Sequence, residues 1–106
     1  MTGRERVLTT IDGGKPDHLA ALPITMMFAA DTAGVRYRDY ATDFRVLADA
    51  QVRTAAIYGF DHVSVISDPA REASDLGAAI EWFDNQPPAI IESRALLTEK
   101  NTLARL

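Results

Sequence analysis

A chain of 106 residues, 47% hydrophobic and 25% charged, has the make-up of one small globular domain, which excludes a disordered or fibrous protein. Its net charge of −4 leaves no basic footprint for nucleic acid or an anionic membrane surface. No run approaches the roughly 18 apolar residues of a membrane span, and the charged start has no apolar signal segment behind it, so the chain reads as cytoplasmic.

In chain order, Thr2 and Glu5 form a T-x-x-E capping box, and Val7, Leu8 and Ile11 give a short helical stripe that Gly13 and Gly14 end. Lys15 to His18 are turn-like. Ala21 to Phe28 form an apolar run that predicts a buried strand, with Pro23 removing one ladder donor, and Ala29 to Tyr40 read as a loop with one helical turn. Thr42 or Asp43 then caps a helix whose expected core stripe is Phe44, Leu47, Ala48, Val52, Ala55 and Ala56, with Gly59 as its stop. A β-branched strand is expected over His62 to Ile66, a helical turn over Pro69 to Leu76, and strands in Ala78 to Phe83 and Ala89 to Ile91. Ser93 to Leu106 carries Leu96, Leu97, Leu103 and Leu106 as a last helical stripe.

Alternating helix and strand periods predict an α/β chain with parallel strands joined by crossover helices. Only two or three such units fit, and so few helices cover only part of a parallel sheet. The expectation is therefore a piece of a larger barrel or sheet; the alternative is a small α/β or swapped-dimer domain that is complete as it stands.

One position stands out chemically. In Val63–Pro69, "VSVISDP", a buried strand runs into Ser67 and Asp68. A carboxylate at the carboxyl end of a parallel strand points into the mouth where barrel active sites form, whereas a Ser or Asp ahead of Pro69 also caps the following turn. Both readings stand on the residues alone. With no cysteine and only His18 and His62 as imidazoles, a self-contained disulfide framework or zinc site is not expected. His62 is expected to be partly buried and hydrogen-bonded, and His18 solvated. Met26, Met27 and Phe28 end the first predicted strand, where they pack in the core or line a pocket floor. Trp82 and Phe83 read as core or interface aromatics, and Tyr37 and Tyr40 as part of a loop above the cleft.

The stretches "GRERVLTTIDGGKPDHLAALPI" and "YATDFRVLADAQVRTAAIYGFDHVSVISDPAREASDLGAAIEWFDNQPP" resemble the amino-terminal third of the uroporphyrinogen decarboxylase superfamily, which includes cobalamin-linked methyltransferases. The resemblance rests on the R-E-R-V-L helix, the K-P-D turn, G-F-D before a strand, S-D at its end and the later L-G-A. It implies the amino-terminal part of a (β/α)8 TIM barrel of roughly 300 residues or more. Residues 1–19 would be its leading helix and turn, and 20–106 its first βα units.

By that resemblance Asp68 takes the role of the cleft aspartate that engages the pyrrole nitrogens of a tetrapyrrole and stabilises positive charge during decarboxylation. Ser67, Arg36, Met27 and Phe28 are the companion substrate-binding candidates. The decarboxylases' R-Q-A-G-R-Y motif is broken in "FAADTAGVRYRDY": Asp31 stands where the first arginine would be, and the second is recovered only by skipping Val35 to Arg36. An acidic residue there repels a polycarboxylate rather than clamping it. The methyltransferase branch binds zinc through a late His and Cys pattern and uses a corrinoid; none of those ligands would lie in this segment, so both cofactors belong to a longer parent chain. The expected partners are a tetrapyrrole or methyl donor and a second copy of the chain. The alternative is a stand-alone, non-catalytic α/β fragment that self-associates.

Overall fold

The computed structural model describes residues 1–100 and Leu103. Helix α1 (Gly3–Ile11) begins at the predicted capping box, in which the Glu5 amide donates to Thr2 Oγ1 at 3.2 Å and the Thr2 amide donates to Glu5 Oε2 at 2.7 Å. Its apolar stripe stays outside, with Ile11 74% exposed, and the residue it buries is Arg6. A buried guanidinium needs counter-charges. Arg6 finds them in Asp17, through hydrogen bonds of 2.7 and 3.1 Å, and in Asp61. Asp61 in turn accepts from the Ala21 amide, and its own amide donates to the Ala21 carbonyl, so the cluster ties α1, the Lys15–His18 turn and the start of the second apolar run together.

The strand expected over Ala21 to Phe28 is not formed. Helix α2 (Met26–Ala33) occupies its second half and extends through the predicted loop to a left-handed Gly34. The run Met26–Ala30 is built from good helix formers, and a short apolar run cannot by itself separate a helix from a strand. Helix α3 (Tyr37–Thr42) follows, and Asp43 then caps α4 (Phe44–Tyr58) by accepting from the Arg45 amide at 2.8 Å. Gly59 ends α4 with φ +69°, a conformation in which a β-carbon is strained.

The core lies between α2, α3 and α4, where Ala29, Ala30, Tyr37, Tyr40, Leu47 and Ala50 are buried together. The buried face of α4 is Leu47, Ala50, Gln51 and Thr54. Most of the stripe expected to be core therefore points outward: Phe44 is 71% exposed and Val52 59%. Gln51 displaces it because its amide is the hydrogen-bonding hub of the interior.

Residues 62–66, expected to be a strand, have no ladder partner among the described residues. After helix α5 (Arg71–Asp75), strands β1 (Ile80–Glu81) and β2 (Ala89–Ile90) pair antiparallel, Ile80 opposite Ile90 and Glu81 opposite Ala89. The expected parallel sheet is absent among the described residues. The pair is a hairpin because the Pro-rich link is too short for a crossover helix. The helix expected from Ser93 is likewise replaced by a 3-10 turn over Glu92–Arg94; Leu103 is described, while residues 101–102 and 104–106 of that expected helix lie outside the described residues. No helix among the described residues is long and apolar enough to cross a membrane.

Candidate functional site

The segment from Val63 to Asp68 crosses the inner faces of α3 and α4, and side chains replace the missing strand partner. Gln51 Oε1 accepts from the Ser64 amide at 3.3 Å, while its Nε2 donates to Thr25 Oγ1 at 2.9 Å and to the Tyr40 hydroxyl at 2.7 Å. Tyr37 and Tyr40, three residues apart on one face of α3, stack at 5.7 Å. Their hydroxyls donate to successive carbonyls, Tyr40 to Ile66 at 3.0 Å and Tyr37 to Ser67 at 2.8 Å. The approach to Asp68 is thus fixed by a helix rather than by a sheet. Burial, with the Asp68 charge adding to it, pushes the Tyr37 phenol up to about 12.

Asp68 is buried, its side chain wholly so. Its Oδ1 accepts from the Ala70 amide at 2.9 Å, two residues on, which is the turn geometry of a short acidic side chain ahead of a helix. Its Oδ2 accepts from the Ser67 hydroxyl at 2.8 Å and, more loosely, from Arg71 at 3.4 Å. A carboxylate has about four acceptor sites, and these contacts use three. Arg71 spreads its remaining donors over Ser67 Oγ, Asp75 and, most tightly, the Ala41 carbonyl at 2.7 Å, and lies 5.7 Å from the centre of the Trp82 ring. Ser67 and Arg71, but not Asp68, face an open pocket of about 310 Å³ whose other walls include Tyr40, Thr42, Phe44 and Leu47.

The family model for uroporphyrinogen decarboxylase (URO-D) matches residues 2–104. The chain belongs to this family. No curated protein and no solved structure matches it. The decarboxylase family is of the TIM-barrel type, and the described residues form a mostly helical piece with a two-stranded sheet, in which the barrel itself is not visible.

Within this member of the decarboxylase family, the Ser67 hydroxyl donates to Asp68, and Asp68 closes the turn ahead of α5 through the Ala70 amide, although the N-cap of α5 is Ala70 itself, without a side-chain cap bond. The other candidates lie outside their hydrogen-bond network. Arg36 forks onto Asp39, with hydrogen bonds of 2.8 and 3.2 Å, and approaches Asp84 at 3.9 Å. Met27 and Phe28 sit partly exposed on α2, where the Phe28 ring packs 5.1 Å from Tyr58. His62, expected to be partly buried, is exposed because its segment has no covering layer; His18 is exposed, with Nδ1 3.5 Å from Asp17. Arg71 was not among the candidates, although its three-residue spacing from Asp68 was a usable signal. Gln51 and the tyrosine pair were legible only as polar residues on helical faces.

Proposed function

We propose that these residues are the amino-terminal part of a decarboxylase-type (β/α)8 barrel enzyme in which Asp68 is the site carboxylate. The observation that carries this reading is the burial of Asp68 at the end of an apolar segment, held by Ser67, Ala70 and Arg71 with acceptor capacity to spare. Membership of the decarboxylase family supports it. In a completed barrel mouth, such a carboxylate can accept from ligand N–H groups and stabilise positive charge developing on a pyrrole ring, with little reorganisation because its position is already fixed. Ser67 and Arg71 hold it in place. The reaction class is a lyase acting on a tetrapyrrole carboxylate, or methyl transfer linked to a corrinoid.

The residues of this segment do not fit the zinc site of the methyltransferase branch. The chain has no cysteine, and no group of three or more His, Cys, Asp or Glu among the described residues can hold a metal. Zinc or corrinoid chemistry would therefore depend on residues of a longer parent chain. Arg36, Met27 and Phe28 would reach a substrate only from its periphery.

A second reading, a non-catalytic fragment that self-associates, is favoured by the outward-facing stripe of α4. Reading the coding sequence past Leu106 separates the two. A continuing frame with a late His and Cys pattern supports corrinoid-linked methyl transfer, and one without it supports a decarboxylase-like lyase. An immediate stop codon would defeat the enzymatic reading for this chain.

A further inference from the structure

Asp68 has two kinds of anchor. Its side chain is held by Ser67, Ala70 and Arg71, all within three residues of it in the chain. Its backbone is held from a distant helix. Among the described residues, the peptide group that joins Ser67 to Asp68 makes one hydrogen bond, and the donor is the Tyr37 hydroxyl, 2.8 Å from the Ser67 carbonyl oxygen. No strand ladder shares that task. Both residues are buried, Tyr37 at 2% and Ser67 at 8% exposed, so water does not substitute for the bond.

Tyr37 is itself fixed. It is the first residue of α3, its amide donates to the Asp84 carbonyl at 2.7 Å, and its ring stacks on Tyr40. The other end of α3 is gripped in return, because Arg71, which reaches Asp68 Oδ2 at 3.4 Å, donates to the Ala41 carbonyl at 2.7 Å. The contacts thus run from α3 to the Asp68 turn and back. The nearby Asp68 charge adds to burial in raising the Tyr37 phenol, which keeps the hydroxyl protonated and able to donate.

We infer that Tyr37 is the positioning residue of Asp68: its hydroxyl sets the plane of the Ser67–Asp68 peptide and, through it, the direction in which the carboxylate presents its open acceptor site. This rests on the reading of Asp68 as the site carboxylate. Oδ2 accepts two hydrogen bonds and Oδ1 one, so the open site is on Oδ1. Turning the peptide carries the whole side chain with it, and a displacement of about 1 Å can cost about 100-fold in rate. Tyr40 supplies an internal contrast. It lies on the same face of α3 and donates to the Ile66 carbonyl, one peptide further from Asp68, while also accepting from Gln51 Nε2 at 2.7 Å. Removing its hydroxyl breaks two bonds rather than one, at a greater distance from the carboxylate.

Tyr37→Phe and Tyr40→Phe, compared by amide hydrogen exchange in the 106-residue chain, test the inference. The Ala70 amide, which donates to Asp68 Oδ1, reports the turn, and the Ala50 amide, buried in the middle of α4, reports the whole fold. Exchange at Ala70 relative to Ala50 should rise about tenfold in Tyr37→Phe, the scale of one lost hydrogen bond, and stay within about twofold of the parent in Tyr40→Phe. In the complete enzyme containing this segment, kcat should fall by about 10- to 100-fold in Tyr37→Phe with KM within about twofold, and by less in Tyr40→Phe although that variant is the less stable. A merely structural role would make both readouts follow stability. An unchanged exchange ratio in Tyr37→Phe, or a Tyr40→Phe effect on kcat as large as that of Tyr37→Phe, would overturn the assignment. The exchange measurement needs no substrate, so its failure is distinct from failure of the Asp68 reading, which Asp68→Asn turnover decides.

Discussion

Gln51 is the position where one substitution should show how the interior is held. It is 5% exposed, and its amide joins α4 to Thr25 ahead of α2, to Tyr40 of α3 and to the Ser64 amide. Replacing it with Met keeps the volume and removes the polar head. Tyr40 still donates to Ile66, but the Ser64 amide and the Thr25 hydroxyl, in residues 9% and 8% exposed, lose their partners. Each orphaned buried group costs about 1–3 kcal/mol, so the variant should lose about 2–6 kcal/mol. That is a large share of the roughly 5–15 kcal/mol available to a small domain. With a urea slope of about 2 kcal/mol per molar, the unfolding midpoint should fall by about 1–3 M at fixed protein concentration. Gln51→Ala should cost more, because it adds a cavity. A Gln51→Met midpoint within about 0.3 M of the parent would refute the role of this amide as the hub.

Two titrations follow from the same geometry. The Arg6 hydrogen bonds hold the Asp17 carboxyl well below the usual carboxylate range, so its contribution to stability is present above the ordinary value of about 4 and is lost as the pH falls below it. Urea midpoints at decreasing pH should drop more steeply for the parent than for Asp17→Asn; parallel curves would count against the pair. Tyr37, pushed up to about 12 by burial and the Asp68 charge, favours the folded state below the ordinary phenol value of about 10, and that contribution is lost as the pH rises through about 12. Burial raises the Tyr40 phenol as well, so the late phenolate absorbance should lose amplitude in Tyr37→Phe and shift to lower pH in Asp68→Asn. An unaltered curve in Tyr37→Phe would show that another group titrates there.

Local signals were legible wherever one residue settles the matter. The Thr2–Glu5 box, the Asp43 cap and the Gly59 stop each appear where the sequence indicates, because each satisfies helix ends within a few residues. The run Ala21–Phe28 was misread because a short apolar stretch suits either element, and contact with α3 and α4 decided for the helix α2. The buried face of α4 went to Gln51 and Thr54 over Val52 and Phe44, a choice that depends on distant polar partners invisible to periodicity. Asp68 was found because a carboxylate ending an apolar run is conspicuous. Arg71 was missed because the turn that brings it back to Asp68 depends on the Ala70 amide bond.

Turnover is the most direct measure of the central proposal that Asp68 is a site carboxylate. In the complete enzyme containing this segment, Asp68→Asn keeps the shape and the Ser67 and Ala70 contacts while removing the charge. The account predicts a folded protein with the parent's circular dichroism and turnover reduced by at least about 100-fold, the scale of losing one preorganised electrostatic group. A folded Asp68→Asn enzyme with undiminished turnover would contradict it and leave Asp68 as a residue of the turn ahead of α5 alone.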